Sequence, residues 1–155
     1  MISTFAIPLD ILPVTEEALR LDGAERTAVW QVAEPQDAEM TVRRLVVPLQ
    51  EPIVTALGHL VRVSSSELAR MQFEAYHAGL RTWIQLHTHP GTNVGMSDTD
   101  VAWAIADFPG ALSIIVPNFG RGRLKSWTGV GVYERGDDGW REWTADETRA
   151  RLLVG

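Results

Sequence analysis

The chain has 155 residues, 45% of them apolar and 22% charged. That is enough to bury one core unaided and too apolar for general disorder, so the expectation is a single domain over residues 1–155. Cysteine is absent, which excludes disulfides, thiol catalysis and thiolate metal sites, and the net charge of −6 argues against nucleic acid as a partner.

Residues 1–10 lack a basic stretch and are interrupted by Pro8 and Asp10, so they do not read as a signal peptide. No apolar run approaches the roughly 20 residues of a membrane span, and cytoplasmic residence without membrane contact is the expectation. Residues 9–21 read as a helix and residues 27–32 as a strand; residues 35–39 and 48–59 read as loops. Residues 65–79 read as a second helix, with Leu68, Met71, Phe73, Ala75 and Tyr76 on apolar faces and His77 at the surface. Residues 81–86, rich in β-branched, aromatic and apolar side chains, read as a strand that continues into His87. Two glycines and an asparagine mark residues 91–96 as a loop, and residues 97–106 open with Ser97 as N-cap and read as a helix. Residues 112–117 read as a buried strand. Arg121, Arg123 and Lys125 form a basic patch, expected to be a solvated hairpin tip, with an acidic partner or a substrate tail as its functional reading. Residues 131–135 and 140–143 read as a closing hairpin turned by Asp137-Asp138-Gly139, and residues 144–154 as a last helix. There is no internal repeat and no low-complexity segment.

The informative run is His87-Thr88-His89-Pro90, followed by Ser97 and Asp100: H-x-H-P-x6-S-x-x-D. Side chains alternate along a strand, so His87 and His89 point to one face and can converge on one ion. Trp83 and Gln85 are expected on that face too, with Ile84 and Leu86 directed into the core. Pro90 suits the point where the strand stops. Asp100 falls three residues after the N-cap, so it projects from the first helical turn beside Ser97. Taken alone, Ser97 and Asp100 read as a capping box and the histidines as ordinary strand residues. Together they supply two imidazoles, a carboxylate and a hydroxyl within fourteen residues, a set that can hold a divalent metal with a position open for water.

This pattern resembles the signature of the JAMM, or MPN-plus, zinc metalloproteases, which include deubiquitinating isopeptidases and small bacterial relatives. The resemblance covers most of the chain. It implies an α/β fold: a single MPN sandwich, like that of cytidine deaminases, with a curved mixed sheet flanked by helices. It implies one zinc per chain, held by His87, His89 and Asp100 with water as fourth ligand, and Ser97 stabilising the reacting centre. It also implies an upstream glutamate as general base, after the first helix and at the entry to the first long strand. Glu25 stands there, although Ala28 replaces the glycine usual three residues later; Glu34 and Glu39 are its rivals, each otherwise a solvated strand-end charge. The implied activity is cleavage after the C-terminal tail of a ubiquitin-like protein, in a precursor or at an isopeptide bond. The implied partners are that protein or its conjugates, with its activating and conjugating enzymes. With only His59 and His77 left over, the second, structural zinc of some eukaryotic members has no ligands here.

Two other classes compete. MPN-minus relatives share the fold as binding or scaffolding modules but lack the ligands, which are complete here. Non-haem iron oxygenases also use two histidines and a carboxylate, but they separate the histidines widely, and no histidine follows His89.

Overall fold

A computed structural model describes residues 2–56 and 58–155; Leu57 and the side chain of His59, both within the stretch expected to be a loop, lie outside the described residues. An eight-stranded sheet runs in the order β10-β1-β3-β2-β6-β7-β8-β9. Its centre is β2 (Thr27–Val32), β6 (Arg81–Thr88) and β7 (Leu112–Val116). All six residues of β2 and all five of β7 are buried, as expected of strands covered on both faces. β2 is antiparallel to β6 and to β3 (Glu39–Val46), whereas β6 and β7 run parallel, so the sheet is mixed. The sheet curls, and helices flank it.

On one face α1 (Ile11–Leu19) buries Leu12 and Leu19 against Trp30, Ile84, Leu86, Leu112 and Ile114. The Trp30 indole N–H finds Thr15 Oγ1 at 3.0 Å, so the largest core side chain has no orphaned donor. α2 (Ser65–His77) starts at Ser64, whose hydroxyl accepts the Glu67 N–H at 3.2 Å, and it buries Met71 and Ala75. The chain closes with the hairpin β8 (Gly131–Arg135) and β9 (Trp140–Glu142), turned as expected at residues 136–139 with Gly139 at φ 138°.

Several expectations need correction. Residues 48–59 are not simply a loop: β4 (Glu51–Thr55) and β5 (Gly58–Arg62) form a separate two-stranded ribbon. Pro52 obscured it, yet proline is tolerated on so narrow a ribbon because an edge strand needs few N–H donors. Residues 97–106 are not one helix; α3 is only Asp98–Ala102. The buried Gln85 carboxamide ends it by accepting the Ile105 N–H at 2.6 Å and the Ala106 N–H at 3.4 Å, donors that a longer helix would spend on its own carbonyls. Trp83 does not share the histidine face. A bulge pairs Trp30 with Ile84 but Gln31 with Thr82, which resets the alternation and packs Trp83 against the main core. The basic patch is not a hairpin tip: Arg121 and Arg123 lie between two 3-10 turns, Asn118–Gly120 and Leu124–Ser126, and Lys125 lies in the second. The last helix is α4 (Ala145–Arg151), and residues 152–154 instead form β10, parallel to β1 (Thr4–Ile7).

Candidate metal centre

The site is assembled from the ends of β2 and β6 and the start of α3. In β6, Leu86 points to the core while His87 faces α3. His89 follows one residue beyond the strand, held by its N–H to the Val116 carbonyl at 2.9 Å and by its own carbonyl, which accepts the Phe119 N–H at 2.8 Å. Asn118 and Phe119 adopt positive φ of 55° each at this tether. In α3, Ser97 and Asp100 form a reciprocal capping box: Ser97 Oγ accepts the Asp100 N–H at 3.1 Å, and Asp100 Oδ2 accepts the Ser97 N–H at 2.9 Å. The bland reading of that motif is therefore correct, and it also serves the site, because the box aims the carboxylate.

His87 Nε2 lies 3.3 Å from His89 Nε2 and 3.2 Å from Asp100 Oδ1, and His89 Nε2 lies 3.2 Å from Asp100 Oδ2. Bonds of about 2.0–2.1 Å at tetrahedral angles place ligand atoms about 3.3 Å apart. The two imidazole nitrogens thus stand as far apart as two corners of a tetrahedral metal site, with one Asp100 oxygen turned to each, and the chemistry of the donor set agrees. The Asn93 carbonyl, 2.8 Å from His89 Nδ1, can only accept, so that nitrogen carries a proton, and Nε2 is the nitrogen left to donate to Asp100 when the ring is protonated or to hold a metal when it is neutral. His87, His89 and Asp100 are the one such group of potential ligands among the described residues.

Glu25 reaches the site by register. Thr27 pairs with His87, so the antiparallel ladder carries Glu25 opposite His89. The Arg26 N–H donates to Thr88 Oγ1 and the Arg26 carbonyl accepts the Thr88 N–H, each at 3.0 Å. Glu25 is buried and lines, with His87 and Asp100, a cleft of about 360 Å³. Burial pushes its carboxyl up to about 7, with His89 drawing it down and Asp100 adding to the rise. Asp100 is held far below the usual carboxylate range: burial opposes ionisation, but hydrogen bonds from both histidines outweigh it. His89 is raised; burial alone would lower it, and Asp100 and the Asn93 carbonyl prevail. The rivals Glu34 and Glu39 are exposed, and neither lines the cleft.

The cleft runs between β5 and the segment from α3 to Ile105, with Leu60, Leu68, Trp103 and Ile105 among its apolar walls. Sequence reasoning did not single out Thr88, Gln85, Asn93 or Tyr133 as supports. The Tyr133 hydroxyl donates to the Val94 carbonyl at 2.9 Å and so anchors the loop between the ligands. An aromatic in a closing hairpin carries no signal of that contact.

The "Probable metalloprotease y4jG" of Sinorhizobium fredii is 37% identical over 123 residues, 77% of this chain and 75% of that one. No protein-family model matches the chain. A protein of Desulfitobacterium hafniense superposes with a TM-score of 0.68 at 12% identity, covering 98% of this chain and 93% of that one. One from Salinibacter ruber gives 0.62 at 15% identity over 97% and 91%. A JAB1/MPN domain protein from Archaeoglobus fulgidus gives 0.50 at 16% identity over 96% and 98%. At such identities the structural likeness is one of fold, and the fold is that of an MPN domain. Sequence adds the chemistry: the chain belongs to the JAMM/MPN metalloprotease family, with a metal-dependent, protease-like function. No helix among the described residues is long and apolar enough to cross a membrane.

Proposed function

We propose that the protein is a zinc-dependent peptidase or isopeptidase that cleaves after the C-terminal tail of a ubiquitin-like protein. The observation that carries this reading is the convergence of His87 and His89 Nε2, 3.3 Å apart, on the Asp100 carboxylate, whose two oxygens each lie 3.2 Å from one of them, beside the Glu25 carboxyl in the cleft that His87 and Asp100 line. His87, His89 and Asp100 would hold the ion. When bound, zinc acidifies water toward neutral pH and polarises a carbonyl.

The chain's own residues supply the proton handling. Glu25, with a carboxyl pushed up to about 7, accepts a proton from the attacking water and returns one to the leaving amine. Ser97 Oγ already accepts from the Asp100 N–H, and its hydroxyl proton is available to the developing oxyanion. A cleft of about 360 Å³ admits a few residues of extended chain and no folded domain. The scissile bond therefore sits in a flexible tail, which suits a ubiquitin-like protein or its conjugates. The enzymes that activate and conjugate such a protein would be the natural associates.

The test uses a ubiquitin-like protein carrying a C-terminal extension, with chelator and zinc-reconstitution controls. Purified protein should contain one zinc per chain. Glu25→Gln should keep the zinc while turnover falls about 100-fold or more, the scale of a lost general base. Cleavage that survives complete zinc removal would sink the metal reading. A fully active Glu25→Gln beside a dead Glu34→Gln or Glu39→Gln would show that the base is another carboxylate.

A further inference from the structure

The β2–β3 ladder stops short of the site. Val29 pairs with Val46, so Thr27 would next meet Pro48, which has no N–H to give. The Gln50 side chain fills that gap. Its Oε1 accepts the Thr27 N–H at 2.7 Å, and its Nε2 donates to the Thr27 carbonyl and to the Pro48 carbonyl, each at 2.9 Å. Both amide protons and the carbonyl oxygen are committed, and the reversed amide would set N–H against N–H, so the network fixes its orientation.

Thr27 is two residues from Glu25, and Gln50 immediately precedes β4. The neighbouring Leu49 N–H donates to the buried Glu67 carboxylate of α2 at 2.6 Å. Residues 49 and 50 thus pin the root of the ribbon that walls the cleft to α2 and to β2 at once. Thr88 holds Arg26 from the β6 side; Gln50 holds Thr27 from the other.

We propose that Gln50 is a positioning residue: its carboxamide, standing in for a missing strand partner, holds the register that sets Glu25 opposite His89. The inference rests on the reading of Glu25 as general base. Gln50→Ala removes the clamp. Gln50→Glu keeps its volume and the bond from the Thr27 N–H but presents oxygen to the Thr27 carbonyl.

Both variants should keep wild-type zinc affinity, because the ligands sit on β6, the residue beyond it and α3. Turnover should fall about tenfold or more, within the ~100-fold that a 1 Å misplacement can cost. Exchange of the Thr27 amide hydrogen should quicken, reporting the clamp without any reaction. Gln50→Ala should lower the residual rate of Glu25→Gln far less than it lowers the wild-type rate, since residues acting as a unit are not additive. If Gln50→Ala fails to fold, Gln50→Glu carries the test. Wild-type turnover in a folded, zinc-loaded Gln50→Glu overturns the inference, and so does loss of zinc in step with activity. Wild-type turnover in Glu25→Gln defeats the reading of the base instead, while Thr27 exchange still reports the clamp.

Discussion

Asp100 caps its helix with the same carboxylate that faces both histidines. Its Oδ2 accepts from the Ser97 N–H at 2.9 Å and faces His89 Nε2 at 3.2 Å, leaving Oδ1 toward His87. On the proposed reading, capping and ligation are therefore one arrangement. Ser97→Ala should cost about 1 kcal/mol of stability as a lost N-cap, while the backbone N–H of residue 97 still holds Oδ2, so zinc affinity should change less than tenfold, below the ~10–100-fold of a lost outer-shell partner. Asp100→Ala should abolish tight binding, since two protein ligands hold such an ion poorly. A loss of zinc affinity beyond tenfold in a folded Ser97→Ala, measured by chelator competition, would show that the backbone half of the box does not suffice to aim the carboxylate. At this scale the sequence was informative where spacing sets direction: strand alternation for His87 and His89, and the helical first turn for Asp100. It was uninformative where a side chain acts across the fold. Thr88 on Arg26 spans 62 residues and Gln50 on Thr27 spans 23, and no local pattern encodes either.

Among the elements, long or strongly patterned segments were legible and short ones were not. β2 and β7 stand where their apolar, β-branched runs place them, and α2 keeps the start predicted at Ser65. β1 and β10 are four and three residues long, too short to show a period, and they exist because each pairs with a distant segment. The overlong reading of α3 has a different cause: the apolar residues 101–106 look helical until a buried amide takes their N–H groups. Gln85 also donates to Ser113 Oγ at 3.1 Å, so one carboxamide joins β6, β7 and the cleft wall. Gln85→Leu keeps the shape but leaves the Ile105 and Ala106 N–H groups without this acceptor. It should destabilise by about 1–3 kcal/mol, or a fall of about 3–10 °C in Tm at this chain length. Hydrogen exchange should quicken first at residues 105 and 106. An unchanged Tm with unchanged exchange there would mean that the wall does not depend on Gln85.

For the whole molecule, the proposed zinc site would couple folding to metal and to pH. Three separate segments supply Glu25, the histidines and Asp100, so the unfolded chain offers no assembled site and bound zinc stabilises the native state alone. At a free concentration 100 times its Kd, the gain is about 2.7 kcal/mol, or roughly 5–11 °C in Tm at this chain length. In chelator, the same groups set the pH response. Glu25 rises from an ordinary 4.5 to about 7 on folding, so the native state holds the extra proton and stability falls as pH climbs through that window. His89, raised on folding, acts in the same direction: its contribution is complete below 6.5 and is lost as pH rises through its folded value. Asp100 acts oppositely, contributing above 3.8 and losing that contribution only in acid, as pH falls toward its lowered folded value. Chelated protein should therefore melt at a higher temperature at pH 5 than at pH 7.5. Glu25→Gln, which has no proton to lose, should flatten that decline. With zinc the trend should reverse, because the ligands bind the ion in their deprotonated forms and the zinc-induced rise in Tm grows with pH. Scanning calorimetry of wild type, Glu25→Gln and Asp100→Ala, with zinc and with chelator, separates the two effects. A zinc-induced rise that is the same in Asp100→Ala would place the ion elsewhere in the molecule. A chelated wild type that gains stability from pH 5 to 7.5 would show that Glu25 is not held protonated by its burial.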